Sequence, residues 1–273
     1  MKITHDLQRV ESLDDPRLAP YRNLKDRDLS RDSNGARFIA EGEHVVRRLL
    51  ASDFPIESVF LAQRRVAELA PFVPANVPVY AVPDELSHRV VGYKFHSGVL
   101  ACGRRKPSPT LDDVVPRDGP VTLVVCPEIA NTENLGGLIR LSAGFGATAM
   151  VLGERSCDPF FRQSVRVSMG TVFRLPIVQS RTLLSDLRRL RNEFSVELFA
   201  TVLDADAEPL DRVRSPSRAG LLFGNEAQGL ASEHVAACDR HITIPMRLGT
   251  DSLNVAVSAG IFLYHFTRRT MPE

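Results

Sequence analysis

At 273 residues and 44% hydrophobic content, the chain is long enough for one large or two ordinary domains around a sizeable core. No apolar run approaches bilayer length and MKITHDLQRVESLDD holds no apolar signal core, so a soluble, cytoplasmic protein without a membrane span is expected. A formal net charge of +1 excludes a broadly polybasic nucleic-acid binder and makes any basic surface local.

The first segment, Asp15 to Asp28, reads as a polar helix ended by the turn-forming stretch from Ser30 to Gly35. Strand-like runs at Arg37-Ala40, Ile56-Ala62, Val77-Val82 and Gly98-Gly103 then alternate with helical patterns at His44-Leu50, Arg64-Phe72 and Pro83-Val91. That rhythm predicts a small α/β module over residues 1–103. Its first strand ends at Glu41 and Gly42, which read equally as an ordinary strand end or as part of a binding site.

Residues 104–120 hold four prolines and many charges but no sustained periodicity, so a linker is set at 104–119. Of the 34 basic residues 30 are arginine, and the clusters Arg104-Arg105-Lys106 and Arg162/Arg166 are candidates for phosphate contact. The cysteines Cys102, Cys126, Cys157 and Cys238 form no C-x-x-C and read as reduced thiols. The seven histidines make no H-x-x-x-H pair, so no metal site is expected.

The second domain, 120–273, opens with the apolar run Val121-Cys126, suited to a strand buried on both faces. Pro127 to Gly137 reads as a loop whose glycines allow close backbone approach to a ligand, followed by a helix over Leu138-Phe145. Arg140 then falls on that helix's first turn, where it needs a carboxylate or phosphate partner. Strands are expected at Ala149-Leu152, Val172-Val178, Val196-Leu203 and Ala219-Phe223, and helices near Pro159-Met169 and Leu183-Phe194, the βαβ pattern of a parallel sheet.

Gly224-Asn225-Glu226-Ala227-Gln228-Gly229-Leu230 follows a buried strand as a tight loop carrying a carboxylate, a weak sign of a site when taken alone. The chain closes with a short strand from His241, a polar loop, and a helix from Ser252 to Arg269. Leu253, Ala256, Val257, Gly260, Ile261 and Tyr264 share helical spacing, which predicts that this face packs inside. Asp251 or Ser252 can cap the first turn, and in isolation Ser252 and Asn254 read more readily as helix-closing residues than as a site.

Three motifs change that balance: N-x-G-x-x-x-R at Asn134, Gly136 and Arg140, G-N-E-x-x-G-L at Gly224 to Leu230, and I-P-M with S-L-N-V at Ile244 to Val255. In this order and at strand or helix ends, they resemble the SpoU/TrmH family of RNA 2′-O-ribose methyltransferases in the SPOUT superfamily. Phe38-Ile39-Ala40-Glu41-Gly42 and Gly98-Val99-Leu100-Ala101 are similar, more loosely, to the family's small α/β substrate-binding domain.

The resemblance implies an α/β fold: a C-terminal parallel-sheet domain tied in a deep trefoil knot, preceded by the small RNA-binding domain. It implies a homodimer that uses S-adenosyl-L-methionine, without metal or membrane, to methylate a ribose 2′-hydroxyl of structured RNA. The two-domain layout favours ribosomal RNA over tRNA. It further implies a catalytic site lined by Asn134, Arg140, Glu226, Ser252 and Asn254, and by its own chemistry Glu226 can orient Arg140. The cofactor is expected against Leu203, Phe223, Gly224, Asn225, Gly229, Ile244, Pro245, Met246 and Leu253. Two other classes fit less well. A silent RNA-binding module has no need of all three loops, and a dinucleotide oxidoreductase requires a G-x-G-x-x-G that neither domain supplies.

Overall fold

The computed structural model describes residues 7–24, 37–204, 206–247 and 252–268. By their contacts the residues divide into two units, 1–107 with 158–173 and 108–157 with 174–273.

The first unit contains β1 (Leu7–Arg9), β2 (Arg37–Glu41), α1 (Glu43–Leu50), β3 (Ile56–Ala62), α2 (Val66–Leu69), β4 (Val79–Val82), α3 (Asp84–Val91) and β5 (Val99–Arg104). Its sheet runs β1-β4-β3-β5-β2, parallel through β1, β4 and β3, with β5 antiparallel to both neighbours. The apolar runs of β3 and β5 bury almost every side chain, while α1 buries Val45, Val46 and Leu49 on one stripe. The expected polar helix is much shorter, a 3-10 turn over Pro16–Tyr21. Pro20 lacks the N–H a continuing helix needs, and the turn instead anchors Leu18 and Tyr21 in the core. The Ser30–Gly35 turn lies outside the described residues.

The basic clusters are largely neutralised within this unit. Arg104 pairs with Glu57, Arg105 with Asp158 at 2.6 Å, Lys106 with Asp53 and Arg162 with Glu41. Each carboxylate comes from another part of the chain, which adjacency in sequence does not reveal. Glu41 is itself buried, so its place at the strand end is a structural ion pair, while Arg104 and Arg166 are the exposed members of these clusters.

The second unit continues with α4 (Leu111–Val114), β6 (Val121–Cys126), α5 (Thr132–Gly144) and β7 (Ala149–Leu152). After α6 (Arg162–Val167), which lies in the segment grouped with the first unit, come β8 (Ile177–Gln179), α7 (Leu183–Asn192), β9 (Glu197–Thr201) and β10 (Glu208–Pro209). The chain ends with β11 (Arg218–Leu222), α8 (Ser232–Ala236), β12 (Arg240–Thr243) and α9 (Val255–Thr267). All seven strands are parallel, in the order β10-β12-β9-β11-β6-β7-β8. Leu123, Val125, Val151, Leu187, Leu198 and Leu222 form the core on one side of the sheet. Leu111 and Val115, from the proline-rich 104–119 stretch, join it behind a capping box in which Thr110 and Asp113 bond reciprocally.

Three local expectations are corrected here. The strand expected over Val172–Val178 is confined to β8, because residues 171–173 form a 3-10 turn. The helix expected from Leu138 begins six residues earlier, since Asn131 caps it by accepting from the N–H groups of Glu133 and Asn134 at 2.7 and 3.2 Å. Its glycines therefore lie inside the helix. A Cβ at Gly137 would stand 3.1 Å from that of Ala256, so this glycine permits the close crossing of α5 and α9.

The third correction concerns α9. Its buried residues are Ala259, Phe262, Leu263, Phe266 and Thr267, whereas Val257, Ile261 and Tyr264 are 54%, 40% and 58% exposed. The helix is apolar on nearly all sides, so helical spacing alone selects no unique inward face.

Candidate active site

The loops after β9, β11 and β12 and the start of α9 converge at the carboxyl edge of the parallel sheet. Strand order reverses there, with β6, β7 and β8 running one way and β11, β9 and β12 lying the other. Such a switch point leaves a crevice between diverging loops. Here it is a cleft of about 730 Å³ lined by Thr201 to Leu203, Phe223 to Leu230, Ile244, Met246, Ser252 to Val255, Ser258, Phe262 and Asn134.

One wall is the loop after β11. The N–H groups of Asn225 and Gly229 each donate to the other's carbonyl at 2.9 Å, closing the loop on itself. Asn225 Oδ1 accepts from the amides of Ala227 and Gln228 at 2.9 and 3.2 Å, while Gly229 takes φ +69°. A Cβ at Gly224 would lie 2.2 Å from the carbonyl carbon of Gly229, so only glycine fits where the loop doubles back. The result is a narrow backbone cradle with Glu226 at its tip.

Glu226 is the first member of a hydrogen-bond chain that ties three loops together. Its carboxylate accepts from Asn134 Nδ2 at 2.9 Å and from the backbone N–H of Asn131 at 3.2 Å and Ala130 at 3.4 Å. Asn134 Oδ1 accepts in turn from Asn254 Nδ2 at 2.9 Å. Asn254 Oδ1 caps α9, accepting from the N–H groups of Ala256 and Val257 at 2.9 and 3.4 Å. Burial pushes the Glu226 carboxyl upward as the largest single effect, but the donors from Asn134, Asn131 and Ala130 outweigh it and hold the group below the ordinary carboxylate range. An ionised Glu226 fixes which way the Asn134 amide faces, and Asn134 fixes Asn254.

Among the residues singled out from sequence, Asn134, Glu226, Ser252 and Asn254 line the cleft, as do Leu203, Phe223, Gly224, Asn225, Gly229, Ile244, Met246 and Leu253. Pro245 is exposed and does not line it. Arg140 is exposed in the third turn of α5, away from the lining, and Glu226 orients Asn134 rather than Arg140. Asp251 lies outside the described residues. Sequence reading missed Asn131, although an asparagine just ahead of a helical run is a recognisable cap. It also missed Thr201, whose Oγ1 donates to Leu222 O at 2.7 Å and ties β9 to β11 beneath the cleft, and Phe262 at its floor.

The walls suit a ligand with a flat apolar body and a polar edge. Leu203 is 65% exposed and Leu253 37%, both beside the cradle, and large apolar side chains held open to a cleft offer burial to a ring. Gly224 and Asn225 line the cleft at the closed loop, and the volume accommodates a nucleoside with a side chain. Among the described residues, no group of three or more histidine, cysteine, aspartate or glutamate side chains is disposed to hold a metal, and no helix is long and apolar enough to cross a membrane.

Residues 121–264 match the SpoU rRNA Methylase family. An uncharacterized tRNA/rRNA methyltransferase of Mycobacterium bovis is 37% identical over 96% of this chain and 92% of its own length. The 23S rRNA (guanosine-2′-O-)-methyltransferase RlmB of Acinetobacter baylyi is 26% identical over 76% of this chain and 84% of its own. The crystal structure of an AdoMet-bound rRNA methyltransferase from Sinorhizobium meliloti superposes with a TM-score of 0.83 at 26% identity, covering 98% of this chain and all of that one (100%).

Proposed function

The chain belongs to the SpoU family of RNA methyltransferases, and from that premise we propose that it transfers a methyl group from S-adenosyl-L-methionine to a ribose 2′-hydroxyl of structured RNA. The observation that carries this reading is the Glu226–Asn134–Asn254 chain at the edge of the glycine-cradled cleft. The guanosine-2′-O activity in the name of the Acinetobacter relative and the AdoMet in the Sinorhizobium structure support it. Ribosomal RNA is the favoured substrate class, and the cytoplasm the compartment.

S-adenosyl-L-methionine, when bound, supplies an electrophilic methyl group, so the protein's task is alignment. In this reading Leu203, Ile244, Met246 and Leu253 would hold the adenine ring by apolar contact, beside the glycine cradle at Gly224. Asn134 and Ser252 orient the ribose hydroxyl, and Glu226 holds Asn134 to that task. Arg140 grips the substrate phosphate and stabilises the developing alkoxide, because a guanidinium stays charged and serves poorly as a base.

Arg140 lies one turn beyond Gly137, which crosses α9 at Ala256, and the exposed face of α9 carries Val257, Ile261 and Tyr264. We assign that apolar face to a homodimer interface through which each subunit lends Arg140 to its partner's cleft. The family's trefoil knot is proposed for this second unit. The first unit is proposed to bind RNA.

Calorimetry with S-adenosylhomocysteine in the presence of a chelator tests the cofactor assignment. Saturable binding, weakened by Leu253→Asp, is expected; binding only after metal addition sinks it.

A further inference from the structure

We propose that a second cleft in the parallel-sheet unit binds a nucleobase bearing an amino group, belonging to an RNA nucleotide beside the methylated one; this rests on the RNA methyltransferase reading above. The cleft, of about 450 Å³, lies beyond the carboxyl ends of β6, β7 and β8, the half of the sheet edge that the cofactor cleft leaves unused. Pro127 lines it, while Ala130 and Asn131 on the same loop donate to Glu226 in the first cleft. Three residues of chain reach at most about 11 Å, so one strand of RNA can engage both places.

His234 is the reason to expect a ligand. It forms part of the wall and is 6% exposed, and its Nδ1 has no hydrogen-bond partner among the described residues. Burial lowers its affinity for protons below the ordinary histidine range, so the ring is neutral and offers one donor and one acceptor nitrogen. An unpaired buried polar nitrogen is destabilising until something meets it.

The surrounding charges select the ligand. The first N–H of α7, at Leu183, is already taken by Glu154 Oε1 at 2.8 Å, so this helix start is satisfied by a carboxylate and has no call for an anion. Glu233 adds a second carboxylate, and Arg155 is tied to Glu128 at 3.0 Å. A phosphate is therefore repelled from the interior, whereas a group donating hydrogen bonds is welcomed. Guanine, adenine and cytosine each present an amino group that a carboxylate accepts, and uracil presents none. Pro127 and Leu184 offer apolar contact to the faces of such a ring. Arg155, 61% exposed at the rim, can meet the phosphate of the same nucleotide. Bases splayed out of single-stranded RNA are recognised in this way, along their edges.

The test uses the full chain labelled with 15N-histidine, its first cleft saturated with S-adenosylhomocysteine, and follows the His234 ring nitrogens by NMR. Guanosine 5′-monophosphate is expected to shift them saturably, and uridine 5′-monophosphate, inorganic phosphate and spermidine are not. Glu233→Gln, a change at an exposed position, is expected to weaken the guanosine response at least tenfold and leave S-adenosylhomocysteine affinity unchanged. An equal response to the uridine nucleotide overturns recognition of the amino group. A response to phosphate or spermidine alone replaces the proposal with an ion site, and an undiminished response in Glu233→Gln removes the assigned acceptor. Failure of S-adenosylhomocysteine to bind at all counts instead against the cofactor reading, so the two failures are separable.

Discussion

Asn254 donates its side-chain N–H to Asn134 Oδ1 across 2.9 Å, joining the start of α9 to the start of α5. With Glu226 on the other side of Asn134, the amide is held by a donor and an acceptor that read its two ends differently. Asn134→Asp is isosteric but puts a carboxylate oxygen against Glu226. RNA methylation is expected to fall at least a hundredfold in single-turnover assays, about 3 kcal/mol of lost transition-state stabilisation, with cofactor affinity changed by less than about threefold. Equal loss in rate and in cofactor affinity would instead mark Asn134 as part of the cofactor wall. Asn254→Ala also removes the α9 cap and should cost about 1 kcal/mol in denaturant unfolding.

Glu226 gives a pH dependence of defined sign. Its folded-state pKa is depressed below the ordinary 4.5, so its contribution is fully present above that value and is lost as pH falls through the lower folded value. The 224–230 loop is therefore expected to stay protected in hydrogen exchange at pH 5 and above and to open under stronger acid. Glu226→Gln should abolish that acid step while leaving the strands of the sheet unchanged. An opening near neutral pH contradicts the assignment.

Much of the fold is legible in the sequence because its strands are short apolar runs. Val121–Cys126 is buried almost throughout, and its β-branched run could be read without a partner in view. What the sequence hides are choices made by distant partners. Gly136 and Gly137 look like a ligand loop until α9 is seen to cross there. The face of α9 is ambiguous because Val257 and Phe262 are equally apolar, and only packing decides which is buried. Arg104, Arg105 and Lys106 look like a phosphate patch until Glu57, Asp158 and Asp53 arrive from elsewhere. The candidate site was readable as motifs, yet its bonding was not. Sequence offers Glu226 as a partner for Arg140, whereas within one chain its carboxylate binds Asn134.

The exposed α9 face makes the assembly testable. Ile261→Asp sets a charge in an apolar contact, which costs roughly 2–3 kcal/mol or more unless paired. In the homodimer reading the association constant falls by about 30-fold or more and light scattering reports monomer at micromolar concentration. A variant that remains dimeric assigns the interface elsewhere.

Gly224→Ala tests the cradle. The added methyl collides with Gly229 and Leu230 backbone, which cannot swing aside as a side chain can. S-adenosylhomocysteine affinity is expected to drop at least tenfold in calorimetry while the unfolding midpoint shifts only modestly, since loop 224–230 lies at the sheet edge. Unchanged affinity shows that the ligand does not use this loop.

Arg140 is exposed on its own subunit, so its role can be located by mixing subunits. Arg140→Lys is expected to retain measurable single-turnover methylation and Arg140→Ala to be far slower. Co-expressed Arg140→Ala and Asn134→Asp chains should regain roughly a quarter of the wild-type rate, because half of the dimers are mixed and each mixed dimer rebuilds one complete site. No recovery places Arg140 in its own subunit's chemistry.

The central claim is the atom that receives the methyl group. The purified full chain is incubated with methyl-labelled S-adenosyl-L-methionine and RNA from cells lacking this gene, and the RNA is digested to nucleosides for mass spectrometry. Label is expected in a single 2′-O-methylnucleoside and to be absent when Asn134→Asp replaces the native chain. Label on a base, with the ribose unmodified, contradicts the account.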